Sequence, residues 1–372
     1  MIRKERSSML EAGRITSRQL ILLLVSSRIL IGLTYSPALK QVSSPQDTWL
    51  ILLLTFPLHV ILATPVYFLA KKFPHQTVIQ YSQTIAGKAG KVAGALLLCY
   101  LIHQLAINLA LFSLFVTSVS MPTTPILFIS LSLLLACAFA SHRGVEVICR
   151  LGELFTPIII IAIITITLLL TKDMQFKLLQ PVLEKGIFPV LGVSFLTLSR
   201  TYELIEMAML FPYLNQRSKV KSVYLFVPLI VALIFTMMAI SLLTIFGTGA
   251  VSRMFPYLSM VREVHVGNII ERIESIHMAI WILGGFLKFS LHYYVIVLGL
   301  GQLINLQNYK PLILPTGAIL ASLSVLVAPS LVELLAFQAT SANFIYNTLF
   351  IYVFPLLLLL LAIIQKKGVR SP

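Results

Sequence analysis

Two hydrophobic segments of this chain are interrupted in mid-span, and they fall in matching places in its two halves. The first reads Arg28-Ile-Leu-Ile-Gly32-Leu-Thr-Tyr35-Ser-Pro37; the second runs from Phe188-Pro-Val-Leu-Gly192 to Ser199-Arg200-Thr-Tyr202-Glu203. Inside a bilayer every backbone N–H and C=O must find a partner, so an interrupted helix survives there only if protein surrounds it or it lines a cavity. A broken helix in each half is therefore a pointer to a binding site near the membrane midplane.

That argument presumes a membrane, and the composition supports one. Of the 372 residues 58% are hydrophobic and only 11% charged, with a mean hydropathy of +0.95, outside the range of soluble domains. Apolar runs long enough to cross about 30 Å of hydrocarbon number about ten. They lie near 19–38, 49–68, 92–119, 126–140, 155–170, 187–210, 224–246, 277–304, 312–327 and 346–364. The apolar stretch after Arg18 is too long for a signal-peptide core and has no small-residue cleavage site after it, so it reads as the first span.

Basic residues set the orientation, because Lys and Arg are retained on the cytoplasmic side. With the N-terminus inside, the cytoplasmic segments collect Arg3, Lys4, Arg6, Arg14, Arg18, Lys71, Lys72, Lys88, Lys91, Arg143, Arg150, Arg217, Lys219, Lys221, Lys310, Lys366, Lys367 and Arg370. The outer segments hold only Lys40, Lys172, Lys177, Lys185, Arg253, Arg262 and Arg272. Both termini are thus expected in the cytoplasm. The net charge of +15 follows from this topology and from anionic lipid headgroups, not from a nucleic-acid partner.

The connections are short except for two. Residues 74–90 read as an interfacial helix on the cytoplasmic side, and 248–276 should cap the outer face. Gly87, Gly90 and Gly94 have the spacing of close helix packing. Cys99, Cys137 and Cys149 lack CxxC spacing, so neither a disulfide framework nor a metal site is expected. With no nucleophile elbow, Walker loop or soluble module, neither enzyme activity nor a cofactor is expected.

Charged groups within a span cost about 2.5–3.5 kcal/mol each on insertion scales, so each needs a partner or a wet cavity. Arg28, Arg200, Glu203, Glu206 and Lys288 are such groups. Glu203 and Glu206, with Ser199, share one helical face. These charges read either as a pocket or ion relay, or as structural ion pairs between helices; Arg28 could instead snorkel. In the third span Tyr100, His103, Gln104 and Asn108 form one polar stripe, facing either a cavity or a hydrogen-bonded neighbouring helix. His103 could carry protons.

Several strings gain meaning together: Gln46-Asp47-Thr-Trp49; Tyr81-Ser82-Gln83 through Gly87-Lys88; Gly144-Val-Glu146-Val-Ile-Cys-Arg150; Tyr202-Glu203 followed by Met209-Leu-Phe-Pro-Tyr213; and Ile270-Glu271-Arg272-Ile-Glu274 leading into Trp281-Ile-Leu-Gly-Gly285-Phe-Leu-Lys288. Over essentially the whole chain this resembles the B subunit family of spore germinant receptors, the spore germination permeases, which is similar to the amino acid/polyamine/organocation transporters. The resemblance implies an all-α, leucine-transporter-like membrane protein. It would form one domain over 1–372, with about ten transmembrane helices, the first and sixth broken, in five-plus-five inverted repeats near 15–171 and 186–365. It further implies a nutrient-sensing subunit in the spore inner membrane that triggers germination, with a small-molecule germinant, an amino acid, as ligand. A membrane-anchored A subunit and a lipoprotein C subunit would be its partners. A proton- or sodium-coupled amino-acid transporter is the alternative. Where the family is expected to carry small residues and glycine in the first span, this chain has Arg28-Ile-Leu-Ile and keeps only Gly32.

Free N–H groups at a half-helix start suit a ligand carboxylate, and an acid suits its amino group. The expected pocket therefore comprises Gly32, Thr34 and Tyr35 on the first span and Ser199, Tyr202 and Glu203 on the sixth. Tyr100, His103, Gln104 and Asn108 lie beside it on the third, and Lys288 and Glu206 serve as ion or coupling groups.

Overall fold

The structure, a computed structural model, describes residues 10, 13–34, 37–264, 273–327 and 330–368. Among these the chain is helical, and its one β contact is an isolated bridge between Ile15 and Leu214. Near-continuous apolar sequence permits little else in a bilayer, because helices satisfy their backbone within one segment. Eight helices are long and apolar enough to cross a membrane: Ser17–Thr34, Pro45–Lys72, Val78–Val119, Ile126–Arg143, Val145–Leu169, Arg217–Ser252, Glu274–Leu303 and Ser341–Ile364. A ninth is the bent pair Lys310–Leu326 and Leu331–Gln338, which turns through 97°. The expected sixth span is split into Ile187–Leu198 and Glu203–Leu210, so the order of about ten spans stands with the sixth in two halves.

The spans divide by burial. In the eighth, 83% of the apolar window is buried, and 67% in the first and third, whereas the second and fifth reach only 28%. Large side chains such as Ile61, Phe128, Leu135 and Ile161 stand exposed on the outer helices, as a lipid-facing surface requires and a water-facing one does not tolerate. The first span packs against the fifth, seventh and eighth, and the second against the seventh and the first half of the sixth. The second half of the sixth span, Glu203–Leu210, is wholly buried, while the first half keeps Phe188 and Phe195 exposed.

Local features differ from the sequence expectation at two places. The first span is helical without interruption from Ser17 to Thr34, so Arg28 and Gly32 lie within the helix and not at a break. Gly32 weakens a helix by about 1 kcal/mol, but here it lets the seventh span approach, since an added Cβ would stand 2.7 Å from the Phe235 ring. Residues 35 and 36 lie outside the described residues, and a short helix, Pro37–Gln41, follows. In the sixth span Pro189 and Gly192 do not break the helix either. Pro189 sits in the first turn, where a missing N–H needs no partner, and the break falls at 199–202.

The third helix begins before the membrane, at a Thr77 and Gln80 capping box. It bends at Gly87, whose φ of 57° and ψ of −126° favour glycine. The interfacial turn folds back so closely that a Cβ on Gly90 would lie 1.9 Å from the Ser82 carbonyl oxygen. On the opposite face the connection after the seventh span forms the short helix Pro256–Val261, which packs on the first, seventh and eighth spans. Residues 265–272 of that connection lie outside the described residues.

Candidate functional site

Breaking a helix leaves carbonyls unpaired at the end of its first half, and three neighbouring side chains satisfy them at the sixth-span break. Arg28 reaches across from the first span, its Nη1 donating to the Arg200 carbonyl at 2.7 Å and its Nη2 to that of Thr197 at 3.4 Å. The Leu198 carbonyl accepts from Tyr352 Oη at 3.0 Å and from Thr201 Oγ1 at 2.6 Å. Tyr352 belongs to a π-helical turn, Leu349–Val353, in the tenth span; such a turn inserts an extra residue and redirects side chains, often at functional sites. Cations also suit the negative end of a helix dipole, so Arg28 is doubly matched to its place.

The second half of the span starts with its own acids. Glu203 is buried, with one carboxylate oxygen 3.3 Å from Lys288 Nζ and the other 3.9 Å from Arg28 Nη1. Lys288 is itself buried and also donates to the Ser27 carbonyl of the first span at 3.1 Å, with its ammonium 4.5 Å from the Tyr202 ring centroid. One lysine therefore ties the first, sixth and eighth spans together. Glu206 lies one turn deeper, fully buried, with Oε1 3.3 Å from His292 Nδ1. The other ring nitrogen, Nε2, is 3.0 Å from the Leu101 carbonyl. A carbonyl only accepts, so Nε2 carries a proton, and the Nδ1 to Glu206 Oε1 approach is a close contact without hydrogen-bond geometry.

A second layer is uncharged. Tyr100 Oη and Gln104 Nε2 both donate to Asn347 Oδ1, at 3.0 and 2.6 Å. Asn347 donates in turn to Asn343 Oδ1 at 3.2 Å, and Asn343 to the Gln338 carbonyl at 3.0 Å. Asn108 bonds the Gln104 carbonyl and accepts from Tyr202 Oη at 3.1 Å. Through Tyr202 this network reaches the charged cluster, because that ring also packs 5.0 Å from the ring of His292.

Four cavities surround the break. The first, about 50 Å³, is lined by Arg28, Gly32, Thr197 and Arg200. The second, about 40 Å³, meets Arg28, Thr201 and Glu203; a third, about 20 Å³, meets Gln104, Asn108, Arg200 and Tyr202. The largest, about 200 Å³, is bordered by Ser199, Arg200 and Gln338. The inner three have room for only a few waters, so the helices are closed around the break.

Of the expected pocket residues, the structure brings Gly32, Gln104, Asn108, Ser199, Tyr202 and Glu203 to these cavities and leaves Thr34, Tyr100 and His103 off all four. Thr34 accepts from Trp281 Nε1 at 2.9 Å in an aromatic cluster where Phe112 stacks on Trp281 at 4.2 Å. Tyr100 is taken by Asn347. His103 diverges from its stripe and meets the rings of Tyr346 and Phe337 edge-on. Tyr35 lies outside the described residues. Glu203 was expected to receive a ligand's amino group, but an ammonium from the chain, that of Lys288, already occupies that place. Arg28 does not snorkel; it is 7% exposed and turned inward. Sequence reading put His292 on the polar face of Lys288 without assigning it to the site, and missed Asn343, Asn347 and Tyr352. The (i, i+4) spacing of Lys288 and His292 and of Asn343 and Asn347 was the available signal.

Fold and site define an integral membrane protein of leucine-transporter-like fold. Two solved structures share the fold. One is the substrate-bound outward-open state of a Na⁺-coupled sialic acid symporter, with TM-score 0.60, 10% identity, and coverage of 96% of this chain and 80% of that one. The other is MhsT in complex with L-phenylalanine, with TM-score 0.63, 15% identity, and coverage of 95% and 88%. The chain belongs to the family of spore germination proteins, whose model matches residues 14–332. Among its relatives is spore germination protein KB of Bacillus subtilis (strain 168), 26% identical over 364 residues, which are 96% of this chain and 97% of that protein. Spore germination protein YndE of the same organism is 28% identical over 298 residues, 79% of this chain and 82% of the relative.

Proposed function

We propose that this protein is the nutrient-sensing transmembrane subunit of a spore germinant receptor and that it binds an amino-acid germinant at the sixth-span break. What supports this best is the meeting, in a chain of the spore germination family, of a helix break, Arg28, Arg200 and the Lys288–Glu203 pair within one set of small cavities. Arginine matches a carboxylate in two-point contact, so the germinant's carboxylate is assigned to Arg28 and Arg200. Gly32 and Ser199 line the way in, with Gln104, Asn108 and Tyr202 on the far wall. Lys288 serves as a tethered cation between the first, sixth and eighth spans, and Glu206 with His292 as the coupling group. Thr34, Tyr100 and His103 belong to the surrounding shell. Ligand binding would shift the population between closed and open arrangements, which a membrane-anchored A subunit and a lipoprotein C subunit read out in the spore inner membrane, with both termini of this chain cytoplasmic.

The test combines purified protein and spores. One amino acid out of a panel should raise the thermal midpoint of the full chain, because selective binding stabilises the native state. The same amino acid should cause the optical density of a spore suspension to fall only when the chain is present, and Arg200→Gln should abolish both effects at normal protein level. Germination unchanged by deletion of the chain would overturn the proposal. The solved neighbours, one a Na⁺-coupled symporter, favour a second reading, a coupled amino-acid transporter. Uptake of the stabilising amino acid into proteoliposomes under an ion gradient would establish it.

A further inference from the structure

A cavity of about 280 Å³ lies at the ends of four helical segments, where the second span finishes, the interfacial helix starts, the sixth span finishes and the seventh starts. Lys71, Arg217 and Lys221 line it, and no acidic side chain is among its lining residues. Its walls include Tyr67, Phe73 and Tyr81. Two of the cations are placed by contacts: Lys71 Nζ lies 5.1 Å from the Tyr67 ring centroid, and Arg217 Nη2 is 2.6 Å from His75 Nδ1. Tyr81 supplies an independent observation. It is 1% exposed and stacked on Phe73 at 5.6 Å, and its hydroxyl has no hydrogen-bond partner among the described residues. Buried polar groups are almost always bonded, so a donor left over in a cavity ringed by three cations marks the place of an anion.

Location narrows the ligand. The cavity sits at helix ends, at the depth where aromatic side chains and lipid headgroups meet, and basic pockets between transmembrane helices hold phosphate-bearing headgroups. Its volume equals that of about nine waters at ~30 Å³ each, enough for a phosphodiester and its glycerol. Phe211 and Pro212, which directly follow the half-helix carrying Glu203 and Glu206, also border it.

We propose that this cavity binds the phosphate of an anionic membrane lipid and that the bound headgroup braces the outgoing half of the sixth span. The charged groups facing it hold the phosphate by charge-assisted bonds, and the Tyr81 hydroxyl donates one more.

The test uses the purified full-length chain in neutral detergent, melted with added phosphatidylglycerol, phosphatidylcholine or glycerol phosphate. Phosphatidylglycerol should raise the midpoint and phosphatidylcholine should not. In Lys71→Gln/Arg217→Gln/Lys221→Gln the same shift should need on the order of 100-fold more lipid, from roughly fivefold per cation. Tyr81→Phe, which keeps the stacked ring, should need roughly fivefold more for the lost bond, and it carries the test if the triple variant does not fold. Equal stabilisation by glycerol phosphate, with the same dependence on these residues, would keep the phosphate site and make its ligand soluble. No shift with either anion, or an unchanged response in Tyr81→Phe and the triple variant, would overturn the proposal.

Discussion

Glu203→Gln should damage this protein more than Lys288→Met, although glutamine is the gentler change in shape. Counting Glu206 with His292 as one neutral pair, the buried cluster contains two cations, Arg28 and Lys288, and one anion, Glu203. At 3.3 and 3.9 Å and an effective dielectric of roughly 20, Glu203 attracts Lys288 by about 5 kcal/mol and Arg28 by about 4 kcal/mol. Glu203→Gln removes both attractions and leaves two buried cations facing each other. Lys288→Met removes one attraction, together with the desolvation of one ammonium, and leaves Arg28 and Glu203 paired. Breaking a buried pair on one side costs about 3–5 kcal/mol, a large part of the 5–15 kcal/mol that holds a typical fold. Folded yield and thermal midpoint in detergent should therefore rank wild type above Lys288→Met and that variant above Glu203→Gln. The double variant should recover past Glu203→Gln alone, with a coupling of about 2 kcal/mol or more. Additive losses in the double variant, or a Glu203→Gln protein as stable as wild type, would refute the charge count.

Three further outcomes follow from particular contacts. Asn347→Leu strands the donors of Tyr100 and Gln104 and should cost about 1–3 kcal/mol per unsatisfied group, seen as a lower melting midpoint and a weaker germinant response. Gly285→Ala places a Cβ 2.4 Å from the Phe112 ring and should cost about 1–3 kcal/mol through overpacking, whereas Gly192→Ala meets nothing within 4 Å and should be neutral or stabilising by up to about 1 kcal/mol; equal melting shifts would contradict this reading. Cysteines placed at Lys219 and Lys366 should be labelled only from the cytoplasmic side and one at Arg253 only from outside; labelling of position 219 from outside intact cells would reject the orientation.

The fold was legible because bilayer chemistry leaves few options. Apolar runs gave the spans, and within the wider interruption from Phe188 to Glu203 the polar stretch marks the break, which falls at 199–202. The first-span interruption is narrower than the string from Arg28 to Pro37: the helix ends at Thr34 and a short helix starts at Pro37, while Gly32 is a contact surface for Phe235 and Arg28 a donor to a different helix. The charged groups were legible as a set but not as pairs. Spacing puts Glu203 and Glu206 on one face, but nothing in the sequence says that Lys288, 85 positions later, arrives at the first of them and His292 at the second. The π-helical turn that points Tyr352 at Leu198 was likewise invisible, because it depends on an extra residue in a turn that composition does not mark.

The way the break is satisfied constrains how the site opens. Three other spans hold the break: Arg28 of the first bonds the Arg200 carbonyl and faces Glu203, Tyr352 of the tenth shares the Leu198 carbonyl with Thr201, and Lys288 of the eighth pairs with Glu203. No movement of the sixth span relative to the others leaves all three intact, and an unpaired carbonyl or carboxylate in hydrocarbon costs several kcal/mol. Opening therefore requires a replacement partner at the moment a bond is lost. The Thr197 carbonyl keeps the Arg200 N–H at 3.5 Å, so a ligand carboxylate can take Arg28 only if the Arg200 carbonyl gains another donor, which the ligand's ammonium supplies. A zwitterion thus satisfies both sides of the exchange, whereas a simple carboxylate or a simple amine satisfies one. Amino acids should accordingly stabilise the chain where their decarboxylated or deaminated analogues do not, and equal stabilisation by an analogue lacking either charge would show that the break stays closed during binding.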